Sequence, residues 1–208
     1  MRNHFRLSVL FRSLAALGLT GCSLLTGSGE GGVAVDPFDS GSLARYTIHN
    51  TPEAWSVSGG YLRSGTEAAQ SVVIRRGAVI EDGWVETETD SVTDGGLVLR
   101  FRGKGDYYLL AIRDDSRFGY ANLEIYRASD GEFERLDFPV DIDFPRGARK
   151  TVRFQANGNV LSAYLDGVLM QQVTDDTYST GGFGLRHDNT RELPGTTSRF
   201  DLLRWTRD

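Results

Sequence analysis

The sequence predicts an all-β protein whose antiparallel strands form a sandwich or a barrel. Three observations carry this expectation. From Phe38 onward, apolar and polar residues alternate over short runs, the period of strands with one face buried. Clusters of Gly, Asp and Asn separate these runs, as tight turns require. No stretch offers an amphipathic helix of three turns.

The first residues follow a different pattern. Arg2, Arg6 and Arg12 make a basic start without an acid, and Ser13 to Leu19 follows as a short apolar run. A bilayer span needs about 20 apolar residues, so this run has the length and flanks of a signal peptide instead. Leu19-Thr20-Gly21-Cys22 then resembles the lipobox of bacterial lipoproteins. The resemblance implies cleavage before Cys22, a diacylglyceryl thioether on its sulfur and an acyl group on the new N-terminus. Each buried methylene contributes about 0.8 kcal/mol, so several chains anchor stably where one binds marginally. In a double-membrane bacterium an Asp after the cysteine often marks inner-membrane retention. Ser23 therefore points to the outer membrane, if the cell has one. The expected location is extracytoplasmic, with acyl chains on Cys22 holding the protein to a membrane.

Residues 1–21 are thus expected to be a lipoprotein signal peptide, 22–36 a lipidated tether and 37–208 the folded domain. The tether centres on Gly27-Ser28-Gly29-Glu30-Gly31-Gly32, a flexible composition. Cys22 is the only cysteine, so its acylation excludes disulfides, thiol catalysis and Cys-ligated zinc. Loss of three arginines with the signal takes the formal charge from −5 to about −8. An acidic surface of this kind disfavours nucleic acid as a partner.

Within the domain, strands are expected in order at Ala44–His49, Trp55–Val57, Tyr61–Ser64 and Ser71–Arg75. Trp84–Val92, Leu97–Arg102, Tyr107–Asp114, Asn122–Ala128 and Glu132–Phe138 follow. Arg149–Ala156, Val160–Leu165, Val168–Thr174, Gly182–His187 and Ser198–Thr206 complete the set. Asn157-Gly158-Asn159 and Asp166-Gly167 supply the positive φ that tight hairpins need, which makes Val152–Val173 a three-strand meander. Ser129-Asp130-Gly131 predicts a further hairpin, and Asp94-Gly95 another between the Trp84 and Leu97 strands.

Gly95-Gly96-Leu97-Val98-Leu99-Arg100-Phe101-Arg102 and Asp106-Tyr107-Tyr108-Leu109-Leu110 resemble stretches of concanavalin A-like and laminin G-like jelly rolls. Val152-Arg153-Phe154, Tyr164-Leu165-Asp166-Gly167 and Gly181-Gly182-Phe183-Gly184-Leu185 do so too, and Phe200-Asp201-Leu202-Leu203 resembles the closing strand. The resemblance covers nearly everything from Phe38 to Trp205. It implies an antiparallel two-sheet jelly-roll sandwich, in a bacterial branch associated with cleaving or binding sugars. Its motifs specify hairpins and core, so they speak to fold more than to a site.

Glu86-Thr87-Glu88-Thr89-Asp90 holds the most suggestive chemistry. Alternate side chains of a strand share a face, so Glu86, Glu88 and Asp90 form an acidic row with steps of about 7 Å. Some jelly-roll glucanases carry Glu-x-Asp-x-Glu on one strand, and here the types are permuted to Glu-x-Glu-x-Asp. The position of the acid/base would fall to the shorter Asp90, so no catalytic residue is assigned. The plainer expectation is a solvent-face ladder that pairs Glu88 with Arg100 and Glu86 with Arg102.

In this fold the outer face of one sheet is the usual ligand surface. Arg100, Arg102, Glu88, Tyr108, Tyr126 and His187 are the expected members of a groove there, with guanidinium forks suited to hydroxyl pairs. Asp201 with Asp36 or Asp39 lacks an oxygen-rich loop, and the histidines lack a second ligand, so no metal is assigned. No phosphate loop, dinucleotide fingerprint or nucleophile elbow is present, and no cofactor is expected. The leading expectation is a lipid-anchored domain that binds a carbohydrate or another envelope component without catalysis. The alternatives are a glycoside hydrolase using Glu86, Glu88 and Asp90, and a structural envelope protein that packs against a protein partner.

Overall fold

The computed structural model describes residues 32–51, 54–66, 70–92, 94–115, 120–145, 147–188 and 197–206. The signal peptide, Cys22 and most of the tether lie outside the described residues. The strands are β1 (Val33–Asp36), β2 (Tyr46–His49), β3 (Trp55–Ser58), β4 (Tyr61–Ser64), β5 (Ser71–Arg75) and β6 (Gly83–Ser91). Next come β7 (Gly95–Gly103), β8 (Asp106–Asp115), β9 (Tyr120–Ser129), β10 (Glu132–Arg135) and β11 (Val140–Asp141). The last are β12 (Lys150–Asn157), β13 (Val160–Leu165), β14 (Val168–Thr174), β15 (Gly182–His187) and β16 (Arg199–Thr206).

They form two antiparallel sheets of eight strands, the expected jelly-roll sandwich. The first runs β14-β13-β12-β6-β16-β4-β3, with β1 also on β16. The second runs β10-β9-β8-β7-β15-β5-β2, with β11 on β9. Leu62, Val85, Phe154, Phe200 and Leu203 of the first sheet belong to one buried core with Leu97, Leu99, Leu110, Leu123 and Phe183 of the second.

The hairpins form where the turn residues place them. Asp130, Gly131, Gly158, Asp166 and Gly167 all take positive φ, which twists each turn to match its flanking strands. Two expectations need correction. Val33–Asp36, assigned to the tether, is a strand that pairs with Leu203–Thr206 of β16. Ala34 and Asp36 turn inward and are buried, and Asp36 accepts from Tyr46 Oη (3.0 Å) and the Phe38 N–H (3.1 Å). The glycine run before Val33 hid this alternation.

The second correction is larger. Asp94-Gly95 does not close a hairpin, because β6 lies in the first sheet and β7 in the second. β6 is flanked by β12 and β16, β7 by β8 and β15. Asp94 takes positive φ here as well, but the chain crosses between the layers. A turn residue fixes a local reversal; which edge the next strand joins is decided by burial of both inward faces.

Arg100 shows the consequence. It takes φ of 51° where the β7–β8 register shifts, which breaks the alternation of Leu97, Leu99 and Phe101. Its side chain is 1% exposed and donates to three backbone carbonyls: Glu81 (2.6 and 3.1 Å), Tyr178 (2.8 Å) and Gly158 (2.8 Å). It thereby ties together loops at one end of the sandwich. A buried carbonyl left unpaired costs about 1–3 kcal/mol. Arg100→Ala is therefore expected to lower unfolding stability by at least about 3 kcal/mol in a denaturant titration. A loss below about 1 kcal/mol would show that these bonds are dispensable.

Candidate functional site

The acidic row stands where the alternation of β6 puts it. Val85, Thr87 and Thr89 are buried on the inward side, while Glu86, Glu88 and Asp90 occupy the outer face of the first sheet. Their partners are not Arg100 and Arg102. Glu86 accepts from Arg204 (2.9 Å) and from Arg153 (2.7 and 2.9 Å). Glu88 accepts from Arg204 (2.8 Å) and Arg149 (3.3 Å), and Asp90 holds both arms of Arg199. All six carboxyl oxygens are thus engaged by guanidiniums from β16, β12 and the segment before β12. Arg149 also reaches Asp201 (2.7 Å) and the Tyr61 hydroxyl (2.7 Å), and the Arg153 guanidinium stacks on Trp84 at 4.2 Å. The expected ladder exists, but with strands distant in sequence, because β6 and β7 are not neighbours.

The expected groove does not assemble. Glu88 faces out from the first sheet, and Tyr126 lies on the outer side of the second. Tyr108 is fully buried in the core. Its hydroxyl donates to Asp175 (2.6 Å) and accepts from the Tyr178 N–H (3.0 Å), and burial, followed by that carboxylate, pushes its pKa up to about 12. His187 is also fully buried, with Nδ1 2.8 Å from Ser198 Oγ. Arg100 is the clamp described above, and Arg102 stays exposed. In these strands inward and outward positions are set by a bulge and by burial on two sides, which simple alternation misplaces.

The outer face of the second sheet carries a different arrangement. Val72 and Ile74 of β5, Val98 of β7, Tyr107, Leu109 and Ala111 of β8, and Ala128 of β9 form a second buried apolar cluster. Phe133 of β10 packs edge-on against Tyr107 (6.1 Å) and Tyr126 (6.2 Å), and the Arg186 guanidinium lies 4.9 Å from its ring centre. Beside these rings is a hollow of about 170 Å³. Its floor includes Leu109 and Ala111, with Tyr126 and Phe133 among its walls. Its polar lining is Gln70, Asp94, Arg113, Arg186 and Asp188.

These side chains come from five separated stretches, so no local motif announces them. A signal was nevertheless present. Ser71-Val72-Val73-Ile74, Leu97-Val98-Leu99 and Tyr107–Ala111 are apolar on both faces, which a sheet with one wet face would not need.

Polar groups in the hollow are only partly satisfied. Arg186 Nη2 donates to Asp188 (2.8 Å), the Gln70 N–H donates to Asp188 (3.0 Å), and Arg113 stands 3.7 Å from Asp94. Glu124, 2% exposed, accepts from the Tyr126 hydroxyl and lies 3.5 Å from Arg135. Arg186 is 4% exposed, yet its Nε has no hydrogen-bond partner among the described residues. Outside the lining of the hollow, Oδ1 of Asn122, whose backbone pairs with Arg113 across the β8–β9 ladder, is likewise without a partner among the described residues. Buried polar atoms of this kind are uncommon in folded proteins.

No protein-family model matches the chain, and no curated protein matches it. Solved structures share its fold. The carbohydrate binding module CBM66 from Bacillus subtilis aligns with a TM-score of 0.63 at 17% identity, over 77% of this chain and 94% of that one. LamA from Z. galactanivorans, in complex with laminaritriose and laminaritetraose, aligns at 0.56 and 12% identity, over 84% and 98%. Bacillus licheniformis beta-glucanase gives 0.56 and 14%, over 86% and 100%. At these identities the likeness establishes the jelly-roll sandwich and nothing finer.

Burial raises the pKa of Asp94, with Asp188 and Glu124 adding to the rise and Arg113 and Arg186 opposing it. A carboxyl raised in the folded state favours folding while protonated. Wild-type stability attributable to it is lost as pH climbs through its folded value. Asp94→Asn removes that loss and keeps a residue tolerant of positive φ. Denaturant titrations from pH 3.5 to 7 are expected to show the variant gaining on wild type as pH rises. A difference flat with pH would refute the assignment.

Proposed function

We propose that this protein is a lipid-anchored extracytoplasmic domain that binds carbohydrate, without catalysis, in the hollow on the outer face of the second sheet. One observation carries the reading: a buried guanidinium with an unpaired Nε–H, that of Arg186, stands with Asp94, Arg113 and Asp188 around an apolar and aromatic floor there. Sugars present this combination in reverse, with hydroxyls around the ring edge and C–H groups on its faces. Ligand sites are commonly apolar clefts with a few placed polar groups. The sandwich is also the fold of a carbohydrate binding module and of glycan-acting enzymes, which supports a sugar over other ligands. Anchoring through Cys22 rests on the lipobox resemblance.

Binding is favoured over cleavage by the state of the acidic row. Retaining glycosidases need two carboxyl groups about 5–5.5 Å apart that can reach the scissile bond. Glu86, Glu88 and Asp90 have every oxygen occupied by a guanidinium.

A glycan array followed by calorimetry on the best hit tests the site. Arg186→Met and Phe133→Ala are each expected to weaken binding about tenfold or more, a change worth about 1.4 kcal/mol. Binding that survives both substitutions would place the site elsewhere. No hydrolysis of the bound glycan is expected, and turnover abolished by Glu86→Gln would replace this reading with the enzymatic one. For the anchor, Cys22→Ser is expected to move the protein from the membrane to the soluble fraction and to abolish labelling by an alkyne fatty acid.

A further inference from the structure

We infer that the sugar taken by this hollow is uncharged, and that Asp94 and Asp188 exclude uronate and sulfated units. The inference rests on the binding reading above and narrows it to a chemical class. The carboxylates of Asp94 and Asp188 line the hollow beside the guanidiniums of Arg113 and Arg186, so both acceptors and donors border it. A hydroxyl group both donates and accepts, so sugar hydroxyls can bond to these carboxylates and guanidiniums alike. A carboxylate or sulfate only accepts and has no hydrogen to offer Asp94 or Asp188.

The charges point the same way. An anion is usually welcomed by free guanidiniums, and here they are already committed. Arg186 is bonded to Asp188, Arg113 faces Asp94 at 3.7 Å, and Arg135 faces Glu124 at 3.5 Å. Three cations are thus set against three carboxyl groups, and no surplus of positive charge remains to draw an acidic sugar in. An incoming anion would instead meet the Asp94 and Asp188 oxygens across a small hollow over the apolar floor of Leu109 and Ala111.

The test uses the full chain in detergent and calorimetry at neutral pH. The probes are neutral gluco-, xylo- and fructo-oligosaccharides, set against oligogalacturonates and sulfated galactan oligosaccharides of the same length. The best neutral probe is expected to bind at least about tenfold tighter than any acidic one. Asp94→Asn and Asp188→Asn together are expected to bring that ratio below about threefold while thermal unfolding stays cooperative. Acidic probes that bind as tightly as neutral ones, or a ratio unmoved by the double variant, would overturn the inference and leave the sugar-binding reading intact. Failure of every glycan to bind the folded wild type would overturn that reading itself, and this inference with it.

Discussion

Tyr108, Leu110 and Ile112 of β8 point into the sandwich, while Tyr107, Leu109 and Ala111 of the same strand belong to an apolar cluster outside it. Both faces of the strand are therefore dry. Val98 on β7 and Val72 and Ile74 on β5 extend the outer layer across the sheet. A strand dry on two sides cannot serve as a solvent face, so the polar groups on this side crowd to the margin of the cluster. That is where Arg186, Asp188, Asp94 and Arg113 meet, under the ring of Phe133. The hollow is a consequence of covering an apolar outer layer incompletely.

The two outer faces divide the arginines between two tasks. On the first sheet Arg149, Arg153, Arg199 and Arg204 lie against acids and against the rings of Tyr61 and Trp84. Each side-chain pair on such a half-exposed surface contributes little, about 0–1 kcal/mol, but together they close the face. Arg204 joins two rungs by reaching Glu86 with one arm and Glu88 with the other. On the second sheet Arg186 is buried more deeply than any of these, and its Nε–H has no partner among the described residues. Bonding is closed on the first outer face and left partly open on the second.

Arg100 shows how a residue can carry the right chemistry for recognition and be spent on architecture. Its fork binds carbonyls of Glu81, Gly158 and Tyr178, which lie in three separate loops. A flat, delocalised cation that offers five donors suits this task better than a lysine would.

Local chemistry settled much of this protein from its sequence. Asn157-Gly158-Asn159, Asp166-Gly167 and Ser129-Asp130-Gly131 prescribe reversals that any fold must honour, and the alternation of β6 put Glu86, Glu88 and Asp90 on an outer face. These features depend on φ preferences and on a period of two, both of which act between near neighbours. Tertiary structure alone decided that Asp94-Gly95 crosses between layers, that Arg149, Arg153, Arg199 and Arg204 answer the acids, and that Arg100 turns inward. It also brought Gln70, Asp94, Arg113, Arg186 and Asp188 to one hollow. Those outcomes depend on which strand edges pair once both apolar faces are buried, a condition imposed on the whole chain at once and written in no single stretch of it.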